Sequence, residues 1–217
     1  SLMKNLFKTA LISLGLLALA QGALAAGDAA AGEANAGACA ACHGSDGNSL
    51  AASFPKLANL GEKYLVKQMQ DIKSGARPVP EMTGQFASMS DQDIDNLAAF
   101  FSSKQMQLSG AKEIEVQLGT GVKVDGVALG TKVYRGGNME TMVPACTGCH
   151  SPRGQGNSPA GYPRLSGQHA AYIEKQLRDF RAGNRTNDGD TKIMRDVAAH
   201  MSDAEIIAVA NYISGLH

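Results

Sequence analysis

The sequence contains no tryptophan, and phenylalanine and tyrosine together make up only 5% of its 217 residues. Aromatic side chains supply much of the volume of an ordinary core, so this composition leaves little bulk for filling two small domains. The chain also lacks an excess of either charge, because 20 basic residues face 20 acidic ones. This balance argues against a protein that binds nucleic acid or an anionic membrane through bulk positive charge.

The start of the chain has the pattern of a secretory signal peptide. Lys4 and Lys8 flank the beginning of an apolar stretch, and the run from residue 11 to 20 leads to Ala23-Leu24-Ala25, a typical cleavage sequence. Ten apolar or small residues are too few for the ~20 that a membrane-spanning helix needs. We therefore expect cleavage, export to an oxidising compartment and no transmembrane segment in the mature chain. A buried N-terminal helix and an uncleaved anchor are the alternatives.

The rest of the chain repeats itself at a nearly constant spacing. Tyr64 and Tyr172 are matched at a spacing of 108 residues, and Met82 and Met194 at a spacing of 112. Two homologous domains are the simplest explanation. We divide the chain into a signal peptide (residues 1–25, with residues 1–2 as a cloning remnant), a first domain (26–108), a linker (109–129) and a second domain (130–217).

Local patterns predict an all-α fold. Residues 64–73 and 172–181 carry apolar side chains at helical spacing, and each segment is followed by a glycine that suits a helix C-terminus. Ser90 and Ser202 each begin a capping box ahead of an apolar run, which predicts a terminal helix in each domain. Between the domains, residues 114–127 alternate apolar and polar side chains, which indicates some hairpin character.

The chain has only four cysteines, and both pairs have the sequence C-x-x-C-H. The motif residues are Cys39, Cys42 and His43 in the first domain and Cys146, Cys149 and His150 in the second. This sequence is the attachment signature for c-type haem, in which two thiols add to the porphyrin vinyl groups and the adjacent histidine ligates the iron. Two matched copies in an exported chain predict two covalently bound haem c groups, whose porphyrins would also supply the missing core bulk.

A disulfide pair, a thioredoxin-like dithiol and a zinc site are the alternatives for the cysteines. A redox dithiol does not need a histidine after each pair, and the alternating strands and helices of a thioredoxin fold are absent from the predicted pattern. The two pairs with their histidines offer six ligands in separate domains, whereas zinc takes four.

Two matched pairs of methionines are candidates for the second axial ligand of each iron. Met89 and Met201 stand directly before the serine N-caps, where an apolar side chain packs against the first turns of the helix. Met82 and Met194 lie earlier, and Met82 follows Pro80-Glu81 in a stretch suited to a loop. We therefore expect Met82 and Met194 to ligate iron, and His/Met ligation raises the reduction potential.

The remaining histidines and two matched prolines complete the candidate residues. His169, His200 and His217 have no histidine partner in the repeat, so we expect them on the surface and not as iron ligands. Pro55 and Pro163 follow the motif histidines by 12 and 13 residues. A carbonyl oxygen there would accept the Nδ1 proton of the ligand and fix its tautomer. An ordinary turn proline is the alternative.

These motifs resemble those of class I cytochromes c, and their duplication is similar to that of the dihaem c4 subfamily. The resemblance covers nearly the whole mature chain and includes both C-x-x-C-H copies and residues 54–57, 81–84, 162–165 and 188–190. It implies two tandem cytochrome c domains, each wrapped around a haem. It also implies a periplasmic electron carrier, not an enzyme, that links a membrane-bound quinol-oxidising bc complex to a terminal oxidase. The stretch 109–129 departs from the family in its length and its β-like pattern.

A dihaem peroxidase is the alternative function. Such an enzyme needs one iron with an accessible coordination position and acid or base groups above it. The matched methionines argue against it, and Glu81 is the one carboxylate beside Met82.

Overall fold

The computed structural model describes residues 27–217, so the predicted signal peptide lies outside the described part of the chain. None of the described helices is both long and apolar enough to cross a membrane. The fold is mostly helical, as predicted, with one small sheet. In the described residues the helices are α1 (Ala29–Asn35), α2 (Gly37–His43), α3 (Glu62–Ser74), α4 (Asp91–Ser103), α5 (Gly126–Gly136), α6 (Thr147–His150), α7 (Ala170–Ala182), α8 (Ile193–Ala199) and α9 (Asp203–Gly215), with a 3-10 helix at Pro80–Met82.

The first domain is built on the packing of α1 against α4. Gly32 makes this close approach feasible, because a Cβ atom there would lie 2.0 Å from the carbonyl oxygen of Asn96. In the second domain α5 packs against α9 in the same way, and a Cβ on Gly130 would lie 2.3 Å from the carbonyl oxygen of Ala208. Each domain therefore has a helix pair whose contact requires glycine.

The predicted helix ends are confirmed in both domains. Ser90 accepts a hydrogen bond from the Asp93 amide and Ser202 from the Glu205 amide, and each acidic side chain bonds back to the serine amide. A pair of reciprocal bonds of this kind satisfies two backbone donors that the helix leaves free. α3 and α7 end at glycines in the left-handed conformation, as the sequence predicts.

The segment between the domains contains the hairpin that the alternating pattern indicates. Strands β1 (Glu115–Gln117) and β2 (Lys123–Asp125) pair antiparallel, with Val116 opposite Val124. Val116 is buried and packs with Ala204 and Ala208 of α9, so the hairpin belongs to the second domain's surface. α5 begins at Gly126, inside the predicted linker, and the exact division of the chain stays a prediction.

The two domains are joined by buried hydrogen bonds. The Gln168 side chain is 2% exposed; its Oε1 atom accepts from the Lys56 amide at 2.9 Å and its Nε2 atom donates to the Lys56 carbonyl at 2.8 Å. The next residue, His169, is also buried against the first domain. The expectation that His169 lies on the surface is therefore wrong, because the joint between the domains covers it.

Candidate functional site

Each C-x-x-C-H motif lies on a short helix that ends at its histidine. α2 ends at His43 and α6 ends at His150, and both histidines are buried. The next residue has a positive φ in both domains, 79° at Gly44 and 69° at Ser151. This turn lets the chain leave the helix directly after the histidine. Ser151 is less suited to this conformation than Gly44, because it carries a Cβ atom.

The structure brings each motif histidine to the proline that the sequence singles out. His43 Nδ1 lies 2.8 Å from the Pro55 carbonyl oxygen, and His150 Nδ1 lies 3.0 Å from that of Pro163. A carbonyl oxygen only accepts, so Nδ1 carries the proton and Nε2 keeps its lone pair. Burial lowers the pKa of both histidines, although the hydrogen bond to the carbonyl opposes this. Both rings are therefore neutral at pH 7 and suited to bind a metal through Nε2.

The cysteine side chains are free thiols in both domains. Burial raises the pKa of Cys39, and it raises that of Cys146 to about 11. A dithiol that attacks disulfides needs a thiol with a lowered pKa, so these environments argue against a thioredoxin-like function. Across residues 27–217, no three side chains of histidine, cysteine, aspartate or glutamate gather as a metal site requires. A zinc site therefore receives no support from the described residues.

The two pairs of methionines differ mainly in the second domain. Met201 is 4% exposed and belongs to the core of that domain, whereas in the first domain Met82 and Met89 are both half-buried and both pack on the core. Met89 and Met201 stand directly before a helix N-cap, as the sequence predicts. Met82 ends the 3-10 helix Pro80–Met82.

Met194 differs from Met82 in its local structure. It lies in the first turn of α8, whereas Met82 follows a proline in a 3-10 helix. The start of α8 is fixed by Asp188, which accepts hydrogen bonds from the Arg195 amide at 2.9 Å and from the Arg195 side chain at 2.7 Å. The Arg195 guanidinium also donates to the Gly189 carbonyl. The acidic stretch ahead of Met194 therefore anchors the segment that carries it.

Two buried arginines form a polar cluster between the domains that sequence reasoning missed. Arg77 donates to Tyr172 at 3.0 Å and to Gln176 at 3.1 Å across the domain boundary. Arg185 donates in the opposite direction, to Tyr64 at 3.3 Å and to Gln68 at 2.9 Å. The repeat could have indicated these arginines, because Arg77 and Arg185 lie 108 residues apart, the same spacing as Tyr64 and Tyr172.

This arginine cluster has cations but no carboxylate partner. Arg77 and Arg185 are each only 8% exposed, and within the described residues neither forms a salt bridge. Burial alone would raise the pKa of Tyr64, but Arg185 and Arg77 lower it overall. Two buried positive charges are costly when their link to a carboxylate, Asp71, runs only through Asn187, so the cluster is suited to a further anion.

Comparisons with known proteins agree with these features. The cytochrome c family model matches residues 29–105 and 127–217. A cytochrome c4 from Azotobacter vinelandii is 54% identical over 188 residues, which cover 82% of this chain and 84% of that protein. A thiosulfate dehydrogenase electron acceptor from Stutzerimonas stutzeri (strain A1501) is 37% identical over 180 residues, 82% of this chain and 79% of that protein.

The fold is also similar to a solved structure. The crystal structure of reduced recombinant cytochrome c4 from Pseudomonas stutzeri matches with a TM-score of 0.81 and 51% identity, covering 88% of this chain and 100% of that chain. The two family matches coincide with the two copies of the C-x-x-C-H motif. The chain therefore belongs to the cytochrome c family, with two tandem cytochrome c domains that carry covalently bound haem c.

Proposed function

We propose that this protein is a periplasmic electron carrier that passes single electrons between respiratory proteins through two His/Met-ligated haems. One observation carries the proposal: in both domains a buried, neutral histidine directly follows a pair of cysteines and is oriented by a proline carbonyl. The haem supplies an iron that changes between ferric and ferrous states. The chain's own task is to hold the iron, close both of its faces and keep water away.

The first domain would hold its haem through Cys39, Cys42 and His43, and the second through Cys146, Cys149 and His150. All four cysteines are free and not joined in disulfides, as thioether formation with a vinyl group requires. The hydrogen bonds to Pro55 and Pro163 would keep Nε2 of each histidine directed at the iron and increase its basicity as a ligand. This duplication supports two equivalent haem sites.

Met82 and Met194 would complete the coordination of the two irons. A thioether is a soft ligand that favours ferrous iron, and a protein ligand on both faces leaves no position for oxygen or peroxide. Met89 and Met201 stand directly before the serine N-caps of α4 and α9, which supports this choice. Closed coordination in both domains favours a carrier over a dihaem peroxidase, which needs one accessible iron.

Arg77 and Arg185 would pair with the carboxylate groups of the haems. A haem carries two propionates, and a guanidinium forms strong bidentate hydrogen bonds with a carboxylate. The arginines are buried, lie between the domains and lack an anionic partner within the described chain. Such pairing would neutralise the cluster and give the two domains a shared polar contact.

The redox partners would be a quinol-oxidising bc complex as donor and a terminal oxidase as acceptor. The membership in the cytochrome c family and the resemblance to cytochromes c4 support a role between such proteins. Relatives that are named electron acceptors of thiosulfate dehydrogenase support the same class of function with another donor. The predicted signal peptide supports the periplasm as the location.

Substitution of the methionines tests the proposed ligation. Met82→Ala and Met194→Ala should each abolish the far-red Met–iron charge-transfer band of one haem in the haem-loaded ferric protein. Met89→Ala and Met201→Ala are matched controls that should lower stability and leave the band unchanged. If the controls lose the band and the first two variants keep it, the ligand assignment is wrong. If no variant changes it, methionine ligation itself is wrong.

A further inference from the structure

His169 is a buried titratable residue for which electron transfer has no evident use. It precedes α7, is 9% exposed and contacts two other segments of the chain. Its Nε2 atom lies 2.9 Å from Ser49 Oγ and 3.0 Å from the Ser49 carbonyl oxygen of the first domain. Its Nδ1 atom lies 3.1 Å from Ser109 Oγ in the segment between the domains. One imidazole therefore connects both domains and the chain that links them.

The hydrogen bonds define which nitrogen carries the proton when the ring is neutral. The Ser49 carbonyl only accepts, so Nε2 must donate. The Ser49 hydroxyl donates to the Phe54 carbonyl at 2.6 Å, which leaves its oxygen free to accept from Nε2. On the other side, the Ser109 hydroxyl donates to Nδ1, and the Gly167 carbonyl remains satisfied by the Ser109 amide at 3.0 Å.

Protonation of His169 would require only a rotation of the Ser109 hydroxyl. Nδ1 would then donate to Ser109 Oγ, and the hydroxyl would turn to the Gly167 carbonyl, which lies 2.9 Å away. Every polar group keeps a partner in both protonation states of His169, so hydrogen bonding alone does not favour either state. Burial and neighbouring charges therefore decide which state the folded protein favours.

The surroundings disfavour a positive charge on this ring. Burial lowers the pKa of His169, and Lys56 of the first domain lowers it further, although the Ser49 carbonyl opposes both effects. Lys56 is itself 5% exposed. Burial lowers the pKa of Lys56, although Asp46 opposes this effect. The pKa of Asp46 is itself lowered by its hydrogen bonds with Asn48 and by the charge of Lys104. Among the described residues, no carboxylate hydrogen-bonds to the imidazole.

We propose that His169 is a pH-sensitive positioning residue, whose neutral form fastens the two domains together and whose protonation weakens that contact. The pKa is lower in the folded protein than in the unfolded chain, where it is about 6.5. The stabilising contribution is therefore complete above the unfolded value and is lost as the pH falls through the lower folded value. Acidification would thus weaken the geometry that electron exchange between the domains needs, and this last consequence alone rests on the proposed function.

Unfolding of the haem-loaded protein as a function of pH tests the proposal. We compare the wild type with His169→Gln, whose amide keeps a donor but does not titrate. His200→Gln is the matched control, because His200 is exposed. Between pH 6.5 and the folded pKa, the wild-type unfolding constant should rise up to tenfold per pH unit more than that of His169→Gln. His200→Gln should follow the wild type.

Two outcomes would overturn the proposal. The first is a parallel loss of stability with acid in the wild type and His169→Gln. The second comes from NMR titration of His169 in the ferrous wild-type protein, which does not depend on a variant that folds. A midpoint at or above pH 6.5 would mean that the joint favours the charged ring. The expected midpoint lies below 6.5, and Lys56→Met should move it upward. Neither measurement depends on electron transfer, so both stand apart from the proposed function.

Discussion

Replacement of Gln168 by leucine tests whether the buried amide bridge holds the two domains together. The side chain makes three hydrogen bonds: it accepts from the Lys56 amide and from the His169 amide at 3.0 Å, and it donates to the Lys56 carbonyl. Leucine has a similar volume but satisfies none of these groups. The substitution would leave three buried backbone groups without their partner.

The expected cost follows from those three groups. A buried backbone group that loses its partner costs about 1–3 kcal/mol, so the loss of three partners in Gln168→Leu should lower the unfolding free energy by about 3–9 kcal/mol. Denaturant titration of the haem-loaded protein, followed by far-ultraviolet circular dichroism, measures this change. Gln155→Leu is the control, since Gln155 is exposed and should change stability by less than about 0.5 kcal/mol. If Gln168→Leu lowers the unfolding free energy by less than about 1 kcal/mol, the Gln168 hydrogen bonds do not hold the two domains together.

Three further predictions test other parts of the structure. Tyr134→Phe removes a 2.7 Å hydrogen bond to the Ser151 carbonyl from a fully buried ring and should cost about 1–2 kcal/mol in the same titration; no loss would contradict this bond. Asp188→Asn should weaken the methionine band of the second haem and leave the first unchanged, because only α8 is anchored by Asp188; equal effects would contradict this anchoring. The second haem should have the higher reduction potential by tens of millivolts, because residues 28–104 carry six basic and nine acidic residues and residues 130–217 carry ten and eight. One unscreened charge at ~10 Å and a dielectric of ~20 contributes about 1.7 kcal/mol, or about 70 mV, and salt reduces this. Potentiometric titration of the methionine variants assigns each potential, and the reverse order would refute a control by net charge.

The sequence predicts most features that depend on local chemistry or on the repeat. Helix caps at Ser90 and Ser202 follow from short-range patterns, because the bonds that form them span three residues. The contact between His43 and Pro55 spans 12 residues, and the repeat indicated it by showing the same pair twice. Alternation of apolar residues was sufficient to indicate the hairpin ahead of α5.

Features that arise where the domains meet could not be predicted in this way. His169 has no histidine partner in the repeat, which favours a surface position, but it is buried because Ser49, 120 residues earlier, and Ser109, 60 residues earlier, contact its ring. The partners of Arg77 lie 95 and 99 residues away, on a helix of the other domain. A repeat shows that two domains exist but not which faces they bury against each other. The asymmetry between Met82 and Met194 has a local origin instead, because Met82 follows Pro80 in a 3-10 helix and Met194 lies in a helix anchored by Asp188.

We expect both irons to be closed to external ligands, and addition of carbon monoxide to the reduced, haem-loaded protein tests this most directly. Carbon monoxide binds ferrous iron wherever a coordination position is open or easily vacated. The absorption spectrum of both haems should remain unchanged over minutes, because a histidine and a methionine occupy the two axial positions of each iron. Rapid formation of a carbon monoxide complex at either haem would contradict the electron-carrier account and favour an enzyme of the peroxidase type.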